Sequence, residues 1–209
     1  MRAGGRARTG EDRDAVRSFV AVHVPESWAA GLAALRDRLA RGAGGIRWVQ
    51  PDGAHVTLAF LGDVPAARVP ALAARLRDAG RECAPCRVSA DAIGVFPHPG
   101  RAAVLWLGIK DPAEGLRRLQ GRVQVALGAE GFAAEDRPFH PHVTLGRWRT
   151  PPSRDRVEAL LATPLPLALS GGAGEWVVTE IRLMASQLAP EGPVYTVMAA
   201  LPLTGSAPG

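Results

Sequence analysis

The sequence predicts an α+β fold in which two pseudo-equivalent lobes form one compact bilobed unit. Segments with alternating apolar residues, typical of strands, are interleaved with segments whose leucines recur at helical spacing. A unit of strand, helix, strand and a repeated four-residue phrase occurs twice along the chain. No low-complexity linker interrupts the body of the sequence, so we expect the two units to share a core.

The first half of the chain predicts three strands and two helices, separated by proline and glycine residues. Pro25 ends the first strand, and Gly62-Asp63 is expected to end the third. The predicted elements are a strand at 18–24, a helix at 28–41, a short strand at 46–49, a strand at 54–61 and a helix at 66–82.

The second half predicts a third helix that starts at Asp111-Pro112 and ends near Gly128. Strands are predicted around it, and a short helix within 150–163. The predicted strands are 87–95, 101–110, 141–148, 165–169, 176–185 and 194–201.

The domain organisation follows from the two ends of the chain. The first 17 residues are rich in arginine but contain acidic residues and no apolar segment, which argues against a transit or signal peptide. We therefore predict a disordered leader at 1–17, a single bilobed domain at 18–203 and a disordered tail at 204–209.

Composition places the chain among ordinary globular proteins, with 47% hydrophobic and 22% charged residues. The net charge of +5 favours an anionic partner. However, nearly all basic residues are arginine, and alanine, glycine and proline are also abundant, a pattern that coding bias produces too. Charge alone therefore does not decide for nucleic acid. No apolar run approaches the roughly 18 residues of a membrane span, so we predict no membrane association and a cytoplasmic location.

Cys83 and Cys86 form a Cys-Ala-Pro-Cys pair that follows a predicted helix. A redox motif would sit at a helix start, and a four-ligand zinc site would need a second pair. We therefore expect two reduced thiols.

The phrase His-Val-Thr-Leu occurs at 55–58 and again at 142–145, both times in a predicted strand. Residues two apart in a strand face the same side, so each copy presents an imidazole and a hydroxyl together. If the two strands lie side by side, His55, Thr57, His142 and Thr144 converge on one cleft. One neutral and one protonated imidazole could then act as general base and general acid, while the hydroxyls donate to phosphate oxygens.

A metal site is the main chemical alternative, because His140 and His142 are two apart and His55 could supply a third ligand. No carboxylate or thiolate in either motif strand extends that set, so we expect no metal. His140 is expected instead at the rim of the substrate site. Trp48 and Phe139 lie beside the motif segments, where an aromatic ring could stack on a base or pack in the core.

Arg147 follows His142 by five residues, so in a regular strand the two side chains would face opposite sides. Only a bulge or a twisted strand end would bring Arg147 to the cleft. A solvent-exposed arginine and a substrate contact are both compatible with the sequence at this point.

With these residues in view, the chain resembles the two-histidine (2H) phosphoesterase superfamily and, within it, the RNA 2′,3′-cyclic phosphodiesterases, also called 2′-5′ RNA ligase-like proteins. The resemblance runs from about Ser18 to Leu203. It rests on Phe19-Val20-Ala21-Val22, Arg47-Trp48-Val49, both His-Val-Thr-Leu copies with their flanks at 59–62 and 137–141, the stretch at 104–108 and Gly192-Pro193-Val194-Tyr195.

The resemblance implies two antiparallel-sheet lobes with outer helices around a central cleft, and hydrolysis without a cofactor. The implied partner is RNA with a 2′,3′-cyclic phosphate end, or a cyclic nucleotide, and the implied product is a 2′-phosphate. His55 would be the proton donor and His142 the proton acceptor, although the two roles could be exchanged. Thr57 and Thr144 would hold the phosphate, and Arg147 matches the family's arginine after the second motif. We expect a monomer.

Two other activities remain open at this point. The same cleft could bind RNA ends without turnover, or it could run the reverse reaction and join RNA ends through a 2′-5′ bond.

Overall fold

The structure is a computed structural model that describes residues 14–50, 53–133, 135–189 and 192–206. Its α-helices are Ala29–Ala40 (α1), Val69–Arg81 (α2), Gly115–Ala129 (α3) and Arg154–Leu161 (α4). Its strands are Ala15–His23 (β1), Ile46–Trp48 (β2), His55–Pro65 (β3), Cys86–Phe96 (β4), Val104–Lys110 (β5), His142–Trp148 (β6), Glu175–Val178 (β7), Glu180–Ala189 (β8) and Gly192–Pro202 (β9).

All described strands belong to one nine-stranded antiparallel sheet in the order β7-β4-β5-β6-β3-β1-β8-β9, with β2 paired to β6. The two strands that carry the repeated phrase, β3 and β6, are neighbours in the middle of this order. One lobe is therefore β3-β1-β8-β9 and the other is β6-β5-β4-β7. The predicted bilobed α+β fold is confirmed, and its lobes are the two halves of one curled sheet.

The helices cover one face of the sheet. Alternate residues of the strands, such as Val20, Val56 and Val143, are buried on that face against the apolar stripes of α1, α2 and α3. A smaller cluster of Phe19, Ala21 and Met184 is buried separately from this core. Because Phe19 and Ala21 alternate with Val20 and Val22, the small cluster lies on the other face of the sheet, which carries the site described below.

The sheet begins earlier than the sequence predicts. Ala15 pairs with Pro65 and Arg17 with Asp63, so residues 15–17 are strand and not part of a leader. The pairing is possible because β3 does not end at Gly62: this glycine has a φ of 70°, and a register shift beside it lets the strand continue. The remainder of the predicted leader, residues 1–13, lies outside the described residues.

Two predictions near the C-terminus are also wrong. The strand predicted at 165–169 is a short 3-10 turn at Leu167–Leu169, because the prolines on either side of Leu165 have no N–H to donate to a ladder. Residues 204–205 are not part of a disordered tail, since their backbone N–H groups donate to the carbonyls of Gly80 and Cys83. Residues 207–209 and the predicted turn at 51–52 lie outside the described part of the chain.

Cys83 and Cys86 are free and buried, and burial raises the pKa of both thiols. In the ranges described, no helix combines the length and apolar character needed to cross a membrane.

The indole of Trp106 in β5 packs against two glycines. A Cβ at Gly94 in β4 would collide with the ring, and one at Gly108 would lie 3.3 Å from its Cζ3 atom. These glycines therefore make room for Trp106 on the face of the sheet that bears the site.

Gly94→Ala should lower the free energy of unfolding by about 1–3 kcal/mol, the usual effect of overpacking. The matched control is Gly121→Ala in α3, where nothing lies within 4 Å of the added methyl. That change should stabilise the protein by up to about 1 kcal/mol, through helix propensity. Urea unfolding of both variants measures the difference, and equal stabilities would contradict the packing described here.

Candidate active site

Val56 and Val143, the central residues of the two repeated phrases, are directly paired between β3 and β6. Both valines are buried in the core. In an antiparallel pair, this register sets His55 beside Thr144 and Thr57 beside His142 on the opposite face. The structure thus brings the two imidazoles and the two hydroxyls together, as the duplicated phrase predicts.

Each motif strand contains a β-bulge one residue after its threonine. The partners of Thr144 and Gly146 in β5 are consecutive residues, so Leu145 is the extra residue in β6. Leu58 is the corresponding extra residue in β3, opposite β1. A bulge shifts the alternation of faces by one, so Arg147 lies on the same face as His142 and Phe60 on the same face as His55. Both side chains are exposed.

Each imidazole is oriented by a backbone carbonyl two residues earlier. His55 Nδ1 lies 2.6 Å from the carbonyl oxygen of Gly53, and His142 Nδ1 lies 2.7 Å from that of His140. A carbonyl only accepts hydrogen bonds, so Nδ1 carries a hydrogen in both rings. Nε2 is therefore the nitrogen that can exchange a proton with a substrate in each case.

Aromatic rings support both imidazoles. The ring of His55 lies 4.8 Å from that of Phe19 and 5.1 Å from that of Tyr195, between centroids. The ring of His142 lies 5.0 Å from that of Phe96 and 6.0 Å from that of Trp106. These contacts limit the movement of both rings and keep them partly out of water.

Loss of hydration lowers the pKa of both imidazoles. The pKa of His55 falls to about 4, chiefly by desolvation, with smaller contributions from the charges of His23, His142 and Arg147, against a rise caused by the Gly53 hydrogen bond. The pKa of His142 falls for the same main reason, and Arg147 again contributes. Both rings are therefore neutral at pH 7 in the unliganded protein.

The two sides of the cleft differ where the strands next to the motif strands approach it. On the first side, Ala21 pairs with Thr57 and His23 with His55. On the second side, the equivalent partners are Trp106 for Thr144 and Gly108 for His142. On the second side, the indole of Trp106 occupies the space next to Thr144. The equivalent space next to Thr57 on the first side is left open because its neighbour, Ala21, is small.

The open space is a pocket of about 270 Å³ beside His55. Its lining includes His23, Arg182, Met184 and Tyr195. Arg182 is held by Glu180 of the same strand, with Nε 2.6 Å from the carboxylate. The pocket therefore combines apolar and aromatic side chains with one guanidinium, and it is continuous with the imidazole of His55.

Not all predicted substrate contacts lie at the cleft. His140 does, with its ring 5.4 Å from that of Trp106. Trp48 pairs with Gly146 on the side of β2 opposite to Arg47, and it packs against the core, as Phe139 also does. Trp48 and Phe139 are thus partly buried against the core in this structure.

Sequence reasoning missed Phe19, Trp106 and His23 as neighbours of the imidazoles. Strand alternation could have placed Phe19 and His23 on the cleft face of the sheet, because each is two residues from Ala21 in β1. The pairing of β5 with β6 was needed to find Trp106. Among the described residues, no group of three or more histidine, cysteine or acidic side chains is placed to hold a metal ion.

Comparison with known proteins gives a consistent result. The family model described as the 2′-5′ RNA ligase superfamily matches residues 24–188. The chain is 35% identical over 196 residues to the RNA 2′,3′-cyclic phosphodiesterase of Thermus thermophilus, covering 91% of both chains. It is 33% identical over 183 residues to the protein of that name from Methanothermobacter thermautotrophicus, covering 88% of this chain and 96% of the relative.

Solved structures agree in fold. A crystal structure of a Thermus thermophilus protein superposes with a TM-score of 0.74 at 32% identity, covering 91% of this chain and all (100%) of that one. Escherichia coli LigT in complex with 3′-AMP superposes with a TM-score of 0.70 at 30% identity, covering 91% and 99%.

The pKa of His55 has a consequence for stability. Between pH 4 and 6.5 the unfolded chain binds a proton at His55 that the folded protein does not, so the free energy of unfolding rises with pH in this window. His55→Asn should reduce that slope by up to about 1.4 kcal/mol per pH unit. Urea unfolding from pH 4.5 to 6.5 measures it, with His98→Asn, in an exposed loop, as the control. Equal slopes in wild type and His55→Asn would contradict the low pKa.

Proposed function

Because the chain belongs to the 2′-5′ RNA ligase superfamily, we propose that it hydrolyses the 2′,3′-cyclic phosphate end of RNA or of a nucleotide to a 2′-phosphomonoester. The observation that carries this proposal is the pairing of Val56 with Val143, which sets two imidazoles and two hydroxyls around one space. A tetrahedral phosphate with an attacking water on one side and a leaving oxygen on the other needs such an arrangement.

The reaction proceeds in line through the phosphorus atom. His142 Nε2 takes a proton from water as the water oxygen bonds to phosphorus, and the bond from phosphorus to O3′ breaks. His55, protonated at Nε2, gives its proton to O3′, which leaves as a hydroxyl. The phosphate remains on O2′. Proton exchange with solvent then returns both imidazoles to their starting states.

Thr57 and Thr144 hold the phosphate during this step. Each hydroxyl lies beside the imidazole of the other motif, so the two can donate to the two non-bridging oxygens. Their hydrogen bonds stabilise the negative charge that accumulates on these oxygens in the transition state. Arg147 and His140 lie at the ends of the same space and contact the substrate.

The anionic substrate sets the protonation state. Both imidazoles have lowered pKa values in the free protein, and an adjacent phosphate anion favours the protonated form of either ring. The bound phosphate therefore raises the pKa of both imidazoles, so that one of them, His55 in the proposed roles, can hold a proton and act as the acid. Exchanged roles would reverse the side from which water attacks, and with it the oxygen that leaves.

Ligation is a second activity compatible with the same groups, and the family name of the matching model favours it. A 5′-hydroxyl in the place of the water would give a 2′-5′ linkage by the same proton transfers. Water is in large excess over RNA ends, so hydrolysis predominates by mass action. We also propose that the protein acts as a monomer and in the cytoplasm, a location in keeping with its two free cysteines.

Replacement of either imidazole tests the assignment. His55→Ala and His142→Ala should each lower kcat for adenosine 2′,3′-cyclic phosphate by about 10²–10⁴-fold, because each removes one proton transfer. EDTA should not change the wild-type rate. His98→Ala, in an exposed loop, serves as the matched control and should retain full activity. Turnover that persists in either cleft variant, or that EDTA abolishes, would refute the mechanism.

The pH profile tests the shared proton. The productive enzyme carries one proton on the imidazole pair, and both pKa values in the free protein lie below 6.5. The value of kcat/KM should therefore peak below pH 6.5 and fall about tenfold per pH unit above it. Initial rates at low substrate concentration measure this dependence. A plateau from pH 7 to 8 would contradict the lowered pKa values of the two imidazoles.

A further inference from the structure

We propose that the pocket beside His55 is a subsite for guanine, in which Arg182 donates two hydrogen bonds to O6 and N7 of the base. The inference rests on the proposed function and deepens it, because it names the base of the nucleotide that carries the cyclic phosphate. It makes RNA that ends in guanosine 2′,3′-cyclic phosphate the preferred substrate.

The pocket lies on the side of the cleft where the nucleoside has to be. In an in-line reaction the attacking water and the leaving oxygen lie on opposite sides of phosphorus, and in the proposed roles His142 activates the water. O3′ therefore lies on the side of His55, and so does the ribose that carries it. The pocket of about 270 Å³ borders His55 in this lobe, whereas Trp106 occupies the equivalent position beside Thr144 in the other.

Arg182 lies at a distance from the phosphate that a nucleotide can span. Ala21 pairs with Thr57 on one side and with Arg182 on the other, so these residues form a row across β3, β1 and β8 on the cleft face. Two strand spacings separate the Cα atoms of Thr57 and Arg182 by about 10 Å. Ala21, in the middle of the row, is small and leaves the space above it open for a ribose and its base.

The charge of Arg182 is already compensated by a neighbour in its own strand. Its Nε lies 2.6 Å from a carboxylate oxygen of Glu180, and the two side chains are 28% and 34% exposed. A phosphate group bound at Arg182 would also lie close to this carboxylate, and the two anions would repel each other. A neutral ligand with hydrogen-bond acceptors avoids the repulsion. The ion pair therefore favours a base over the 5′ phosphate.

The bond to Glu180 also decides which part of the guanidinium faces a ligand. Glu180 accepts from Nε, and a guanidinium has four further N–H groups on its two Nη atoms. Two of these groups in parallel match O6 and N7 of guanine, which lie side by side at one edge of the base. Adenine has an N–H donor in place of O6, and pyrimidines have no N7. The fork of Arg182 therefore selects for guanine.

The other walls of the pocket suit the faces of a base. Met184, Val197 and Tyr195 contribute apolar and aromatic surface. The ring of Tyr195 meets those of Phe19 and His55 edge-on, with 75° and 85° between the ring planes, so packing on both sets its orientation. A thioether and an aromatic ring can both pack against a purine. The pocket thus offers apolar contact to the faces of the base and hydrogen bonds to its edge.

The test compares the 2′,3′-cyclic phosphates of guanosine, adenosine and 7-deazaguanosine in the presence of EDTA. The third compound is the guanosine substrate without the N7 acceptor. In wild type, kcat/KM should be about ten- to hundredfold higher for guanosine than for adenosine, the usual discrimination by a bidentate arginine. Removal of N7 should cost about three- to tenfold, the effect of one hydrogen bond. Both differences should appear mainly in KM, because the base takes no part in the reaction.

Variants assign the preference to Arg182. Arg182→Met should reduce the ratio of kcat/KM between guanosine and adenosine to below about threefold, because the fork is lost. Arg182→Gln should reduce the ratio as well, because glutamine pairs with N6 and N7 of adenine. Turnover of the adenosine compound in both variants should stay within about threefold of wild type, since arginine does not pair fully with adenine, and it confirms that both variants fold.

Arg87→Met is the matched control. Arg87 is likewise a strand arginine paired with a glutamate, Glu175, but it lies in β4 of the other lobe, beside the edge strand β7. This variant should keep the wild-type preference for guanosine.

Three results would overturn the guanine subsite while leaving the proposed function intact. The first is a wild-type ratio between guanosine and adenosine below about threefold. The second is equal kcat/KM in wild type for guanosine and 7-deazaguanosine. The third is the same guanosine preference in either Arg182 variant as in Arg87→Met. Failure of the proposed function looks different, because then none of the three cyclic phosphates is hydrolysed at all.

Discussion

The pairing of Val56 with Val143 is the constraint on which the site depends. Among the residues that the structure describes, it is the one residue pair that joins β3 to β6, and both side chains are buried in the core beneath the helices. Since strand neighbours alternate, burial of these valines forces the histidine and threonine on either side of each onto the open face. A shift of the pairing by one residue would turn one imidazole and one hydroxyl into the core. Burying an imidazole and a hydroxyl without hydrogen-bond partners costs free energy, and this cost disfavours the shifted register.

The scaffold is nearly two-fold symmetric, but the chemistry requires two different imidazoles. The bulges after the two threonines are equivalent, and so are the carbonyl bonds to Nδ1. The residues around them break the symmetry. Ala21 faces a pocket, whereas its counterpart Trp106 fills the equivalent space in the other lobe. Phe60 and Arg147 break it again at the two ends of the cleft. The two imidazoles therefore lie in different surroundings, although their strands are related by approximate symmetry.

Much of this could be predicted from the sequence because the repeated phrase carries both the strand pattern and the chemistry. His55, Thr57, His142 and Thr144 could be assigned to one cleft by strand parity alone. Arg147 could not, because a bulge depends on how β6 pairs with β5 and has no fixed sequence signature. The aromatic neighbours of the imidazoles were not predicted for a similar reason. Phe19 and Trp106 contact the imidazoles only because strands distant in sequence are paired. Tertiary pairing also overrode the local signals at Gly62, where a turn was expected and the strand continues.

The most direct test of the account is the identity of the product. In the proposed mechanism, two imidazoles on opposite sides of one phosphate permit a single in-line path, with water entering on the side of His142 and O3′ leaving on the side of His55. Hydrolysis of adenosine 2′,3′-cyclic phosphate, followed by ³¹P NMR, should show adenosine 2′-phosphate as the one product. Formation of the 3′-phosphate, alone or in a mixture, would contradict the placement of the two rings on which the account is built.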